Sequence, residues 1–257
     1  MANEASDLIA AAETLYDESL SPGATKQIRR LLEAGIARAS GLLANIIMCD
    51  YLNHWNDAGQ SNLTDADEAV QTALRLADDI AIAHYAQGFI YRARGNHEQA
   101  LAAFGESLKC HPTSVRTRAQ MAAEFMYLGR FSEALGEIDL AIADSSGHKA
   151  LGMFNWIKGR TLFFMSRYAE AIPCLQESIE TWQDLWYNRL YLVSAQAYVG
   201  NKLAASVALD EFKQSFPAYA TVRDVVAAEQ TNPMQNPDVV KGREAFHAGL
   251  VLAGMPS

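Results

Sequence analysis

Three cysteines, seven prolines and no long hydrophobic run set the first limits on this 257-residue chain. Cys49, Cys110 and Cys174 lie far apart with no CxxC pair, which argues against a disulfide framework and predicts free thiols in a reducing compartment. The longest apolar stretch, around residues 41–49, is far too short to span a bilayer. The opening MANEASDLIAAAETLY carries acids where a secretion signal needs a basic flank. A cytoplasmic location with no membrane insertion is therefore expected. Basic residues are also scarce: 21 Lys and Arg face 30 Asp and Glu, for a net charge of −9. That balance argues against nonspecific binding to nucleic acid or to anionic membrane, both of which need a basic face.

Catalytic signatures are missing as well. His54, His84, His97, His111, His148 and His247 never show the i, i+4 spacing of a helical metal pair. No G-x-S-x-G, phosphate-cradling glycine loop or Cys/His pairing occurs. Asp78-Asp79 has no second acidic pair, and a helix N-terminus accounts for both acids. The expectation is a protein without catalytic residues, metal or cofactor.

What the chain does have is helix. Half of its residues are hydrophobic, spaced by threes and fours between turn-forming clusters. Pro173 is an exception inside the segment 167–181, where it is expected in about the first turn. Through the middle runs an echo of 34 residues: Gly88, Tyr91, Gly95, Ala100, Phe104 and Ser107 return as Ala122, Phe125, Gly129, Ala134, Ile138 and Ala141. A third copy places Gly159, Leu162, Ser166, Ala171, Leu175 and Ser178 at these anchors, and a fourth places Gly200, Ala205, Leu209 and Phe212. Small residues at the anchors let two helices approach, while the large ones fill the space between neighbours.

On these anchors the chain is identified as a tetratricopeptide repeat protein over about residues 25–217. The resemblance implies an all-α, right-handed α-solenoid of antiparallel helix hairpins. One solenoid over 1–257 is expected: a degenerate N-terminal capping hairpin at 1–39, a divergent repeat at 40–79, core repeats at 80–217 and C-terminal capping helices at 218–257. The helix at 237–253 is expected to cover the last apolar face of the stack. The segments LLEAGIA, ADEAVQTALRLADD, AHYAQGFIYRARGNHEQAL and GREAFHAGLVLAGMP also resemble the repeat region that follows adenylate/guanylate cyclase or winged-helix domains in proteobacterial signalling proteins. That second likeness implies a regulatory or oligomerisation module, capable of self-association.

In such arrays the first helix of each hairpin lines the concave face. The candidate partner-binding residues are Tyr85, Phe89, Arg92, Arg116, Met126, Trp156, Arg160, Phe163 and Tyr187. Tyr, Trp, Met and Arg are enriched at contact surfaces, and arginine orients carboxylates through paired bonds. The family's lysine and asparagine clamp for acidic chaperone tails is absent, since Tyr85 and Phe89 stand in its place. A noncatalytic scaffold holding an apolar or amphipathic protein or peptide segment is the expected function.

Overall fold

A computed structural model describes residues 7, 10–11, 22–53, 60–145, 150–182, 185–229 and 234–257. Most of the acidic N-terminal segment (Glu4, Glu13, Asp17, Glu18), together with His54 and His148, lies outside the described residues, as do the side chains of Leu32 and Cys49. Among the described residues there are twelve α-helices and no strand. In chain order these are α1 (Pro22–Asn53), α2 (Gln60–Leu76), α3 (Ala81–Ala93), α4 (His97–Cys110), α5 (Val115–Tyr127) and α6 (Phe131–Ala143). They continue with α7 (Leu151–Phe164), α8 (Tyr168–Thr181), α9 (Trp186–Tyr198), α10 (Lys202–Ser215), α11 (Val222–Ala228) and α12 (Pro237–Leu252).

The chain divides into two compact units at Thr113/Ser114, inside the stretch expected to form one run of core repeats. In the first unit α1 packs against α2 and α3, and α3 pairs with α4. In the second, α5/α6, α7/α8 and α9/α10 pair, with α7 against α6 and α9 against α8. All four hairpins α3/α4 to α9/α10 use the same turn. Gly95, Gly129, Ser166 and Gly200 each adopt positive φ. The following amide returns to the third-last carbonyl of the first helix: Asn96 to Tyr91, Arg130 to Phe125, Arg167 to Leu162 and Asn201 to Gln196, at 2.8–3.0 Å. This is the Schellman closure, which satisfies the helix's final carbonyls and turns the chain back on itself.

The small anchors serve close approach. A Cβ at Gly88 would stand 2.6 Å from the Phe104 ring, and one at Gly159 would stand 2.9 Å from Leu175. Ala100, Ala134, Ala171 and Ala205 are fully buried on the second helices. Two local expectations differ from the structure. α1 runs unbroken through the joint expected between residues 39 and 40, because Arg38–Ala44 contains no proline and only one glycine. That glycine, Gly41, instead lets α1 approach Ile82 and Ala83 of α3. Pro173 is the sixth residue of α8, in its second turn.

Candidate functional site

The first helices of the second unit, α5, α7 and α9, present a band of rings and polar tips. Arg160 on α7 lies at its centre, with its guanidinium over the rings of Tyr127, Phe164, Trp156 and Tyr191 at 4.9–5.9 Å. Such cation–π contacts stabilise a buried cation without an anion. Arg160 Nη1 donates to Tyr127 Oη at 2.9 Å, while Nε has no acceptor. The Tyr191 hydroxyl is also without a hydrogen-bond partner. Burial pushes the Tyr187 and Tyr191 phenols above the usual tyrosine range, against a smaller lowering by Arg160 and with a further rise from the carboxylate of Glu229. Both hydroxyls therefore stay protonated at neutral pH and supply no countercharge to Arg160.

The C-terminal helix lies across this band. α12 packs on α9, the first helix of the last hairpin, and also on α7. Phe246 stacks on Tyr191 with ring centroids 4.0 Å apart and planes 5° apart, and meets Phe163 edge-on at 6.4 Å. Ser194 Oγ donates to the Phe246 carbonyl at 3.0 Å, and Tyr198 Oη donates to that of Ala245 at 2.9 Å. Gly242 sits against Phe164, and Gly249 against Ser194 and Tyr198. Asn236 caps α12 through its Oδ1 and donates from Nδ2 to the Leu128 carbonyl at the end of α5. α11 joins the cover: Tyr187 Oη reaches the Ala228 carbonyl at 3.5 Å, and His247 Nε2 pairs with Glu229 Oε2 at 2.8 Å.

The nine candidate residues therefore fall into three settings. Met126 and Phe163 are core residues, each 1 % exposed, and Arg160 is 9 % exposed. In the first unit Tyr85, Phe89 and Phe104 form an edge-to-face triad at 5.0–5.5 Å, with the buried Arg92 guanidinium over Phe89 and Phe104. Arg116 is exposed, and Trp156 and Tyr187, with ring centroids 6.5 Å apart, are half-buried. Arg116, Trp156 and Tyr187 are the members of the set with accessible surface. Sequence reasoning missed Tyr191 and Phe246, the stacked pair at the centre of the band. The signal available was the spacing Gly242, Phe246, Gly249, which puts two glycines and a ring on one helical face.

Among the described residues no group of three or more His, Cys, Asp or Glu side chains could hold a metal ion. No described helix is long and apolar enough to cross a membrane. Cys110 is exposed and Cys174 half-buried, and burial raises both thiols.

The family model of the tetratricopeptide repeat matches residues 81–114, the span of α3, α4 and the turn after them. The sequence has no significant match among curated proteins. Solved structures are similar in fold. PilF of Pseudomonas aeruginosa superposes with a TM-score of 0.60 at 14 % identity, over 83 % of this chain and 90 % of that one. PilW, described as a widely conserved type IV pilus biogenesis factor, gives 0.60 at 14 % identity, over 81 % and 90 %. A tetratricopeptide repeat protein from Parabacteroides merdae gives 0.50 at 14 % identity, over 85 % and 81 %. With the repeated Schellman turns and the buried alanine anchors, these matches show that the chain carries a tetratricopeptide repeat at 81–114 and has the tetratricopeptide-repeat fold.

Proposed function

We propose that this protein is a noncatalytic scaffold that binds a protein or peptide segment on the first-helix face of its second unit. The observation that carries the reading is α12. A helix already rests on that face through a ring stack, two glycine contacts and two hydroxyl-to-carbonyl bonds, so the face has the shape and the donors to hold one. Arg116, Trp156 and Tyr187 are the residues through which an incoming segment makes first contact, with Arg160, Met126 and Phe163 supporting them from beneath. The test is selection of binders from a random peptide library on the intact protein. Peptides should enrich, and Trp156→Ala combined with Arg116→Glu should weaken them about tenfold, a loss of about 1.4 kcal/mol, with helical circular dichroism unchanged. No enrichment, or equal binding by the double variant, overturns the reading.

A second reading, a regulatory or oligomerisation module of a bacterial cyclase or transcriptional signalling protein, is favoured by one feature of the first unit. Ile36, Leu43 and Ile46, with Leu42 beside them, are 43–53 % exposed along α1, an apolar row at seam-like spacing that a second copy of the chain would cover. Sedimentation velocity should then show a dimer that Leu43→Glu dissolves, and a monomeric wild type removes this reading.

A further inference from the structure

We propose that α12 holds a place that an external amphipathic helix takes, and that this partner helix brings a carboxylate to Arg160. The inference rests on the binding role above and names the chemistry of the partner. Two independent features carry it.

The first is the shape of the seat. α12 approaches α7 and α9 through Gly242 and Gly249, seven residues apart, with Phe246 between them. A Cβ at Gly242 would stand 2.6 Å from the Phe164 ring, and one at Gly249 would overlap Ser194 Oγ. The face thus accepts a helix with small residues two turns apart and an aromatic ring between them.

The second is the charge beneath it. Arg160 is 9 % exposed, donates one hydrogen bond, to the Tyr127 hydroxyl, and leaves Nε without an acceptor. The cover brings one buried carboxylate, Glu229. His247 takes it at 2.8 Å, and its charge acts on Arg160 through space rather than in an ion pair. The rings stabilise the charge of this buried guanidinium, but its unfilled Nε–H is a hydrogen bond left unmade. A helix that offers a carboxylate there gains an interaction that α12 does not make. That difference is what lets a free helix displace a tethered one, because the tether holds α12 at an effective concentration on the order of mM.

The experiment uses the full-length protein and two fluorescent peptides spanning residues 234–257, one with the native sequence and one carrying Arg243→Glu. Arg243 lies one turn before His247 on the same helical face, and His247 pairs with Glu229, whose charge acts on Arg160. Anisotropy is read for the wild type and for Gly249→Leu, which cannot seat its own α12. Phe246→Ala replaces that variant if circular dichroism shows it unfolded. The glutamate peptide should bind about tenfold tighter than the native one. Both should bind tighter when α12 is unseated, and Arg160→Gln should abolish the advantage of the glutamate. Equal affinity of the two peptides, an advantage that survives Arg160→Gln, or no gain on unseating α12 overturns the proposal. A dimer with exchanged C-terminal helices also overturns it, because the occupant is then a second copy. Library peptides that bind without competing with either probe leave the binding role intact and remove this inference alone.

Discussion

Ser166 holds a backbone conformation that its three counterparts assign to glycine. Its φ is 58°, against 74–79° for Gly95, Gly129 and Gly200 at the same turn. A side chain in the left-handed region crowds the following carbonyl and costs roughly 1–2 kcal/mol, partly offset because glycine loses more freedom on folding. Ser166 is exposed, and the hydrogen-bond contact of its hydroxyl, from Tyr168 Oη at 3.5 Å, is long. Ser166→Gly should therefore stabilise the protein by about 0.5–1 kcal/mol, seen as a higher urea midpoint at unchanged slope. A lower midpoint would mean that the hydroxyl contributes more than the strain costs. This position also shows what was legible at residue scale. The period put Ser166 in register with three glycines, so the turn could be read from sequence although the residue type departs from the pattern.

At the scale of elements, the hairpins α3/α4 to α9/α10 were readable because their anchors repeat, while α1 was not. A joint after residue 39 was inferred from the order of repeats, yet the local sequence has no breaker strong enough to end a helix. α8 poses the opposite case. Pro173 lies beyond the four amides that a helix leaves free at its start, so it removes the bond to the Ala169 carbonyl and crowds it. Its side chain is exposed, on the outer side among Gln176, Glu177 and Leu192. Pro173→Ala should stabilise α8, by up to about 3 kcal/mol on helix propensity and less once the freer unfolded chain is counted. Slower amide exchange through Tyr168–Thr181 would show the gain in this helix. Unchanged exchange there would mean that the helix already accommodates the ring without cost. α12 was legible as a helix with one packing face, but its destination was not. An amphipathic pattern tells that a face will be buried and leaves open which surface buries it.

At the scale of the molecule, the second unit gathers protonated phenols around one permanent cation, and this sets its response to alkali. Tyr191 is 1 % exposed and lies against Arg160 and Phe246. Burial raises the ionisation of Tyr191 and Tyr187 and outweighs the rest: Arg160 lowers both, by more than Glu229 raises Tyr191 and by less than Glu229 raises Tyr187. In the unfolded chain a tyrosine ionises near pH 10. The folded state keeps these protons to higher pH, so their contribution to stability is fully present below about pH 10 and is lost as pH rises above it. Each such phenol adds about 1.4 kcal/mol of lost stability per pH unit once the unfolded chain ionises. The net charge of −9 grows more negative over the same range and acts in the same direction. Urea midpoints should hardly change from pH 8 to 9.5 and fall steeply above pH 10. Tyr191→Phe removes a hydroxyl that has no hydrogen-bond partner, so it should cost nothing at pH 8, where an unsatisfied buried group is itself a penalty of about 1–3 kcal/mol. The same substitution should make the alkaline fall shallower by one phenol's share. An equally steep fall in that variant would place the sensitive group elsewhere, and the aromatic band around Arg160 would then not be what alkali dissolves.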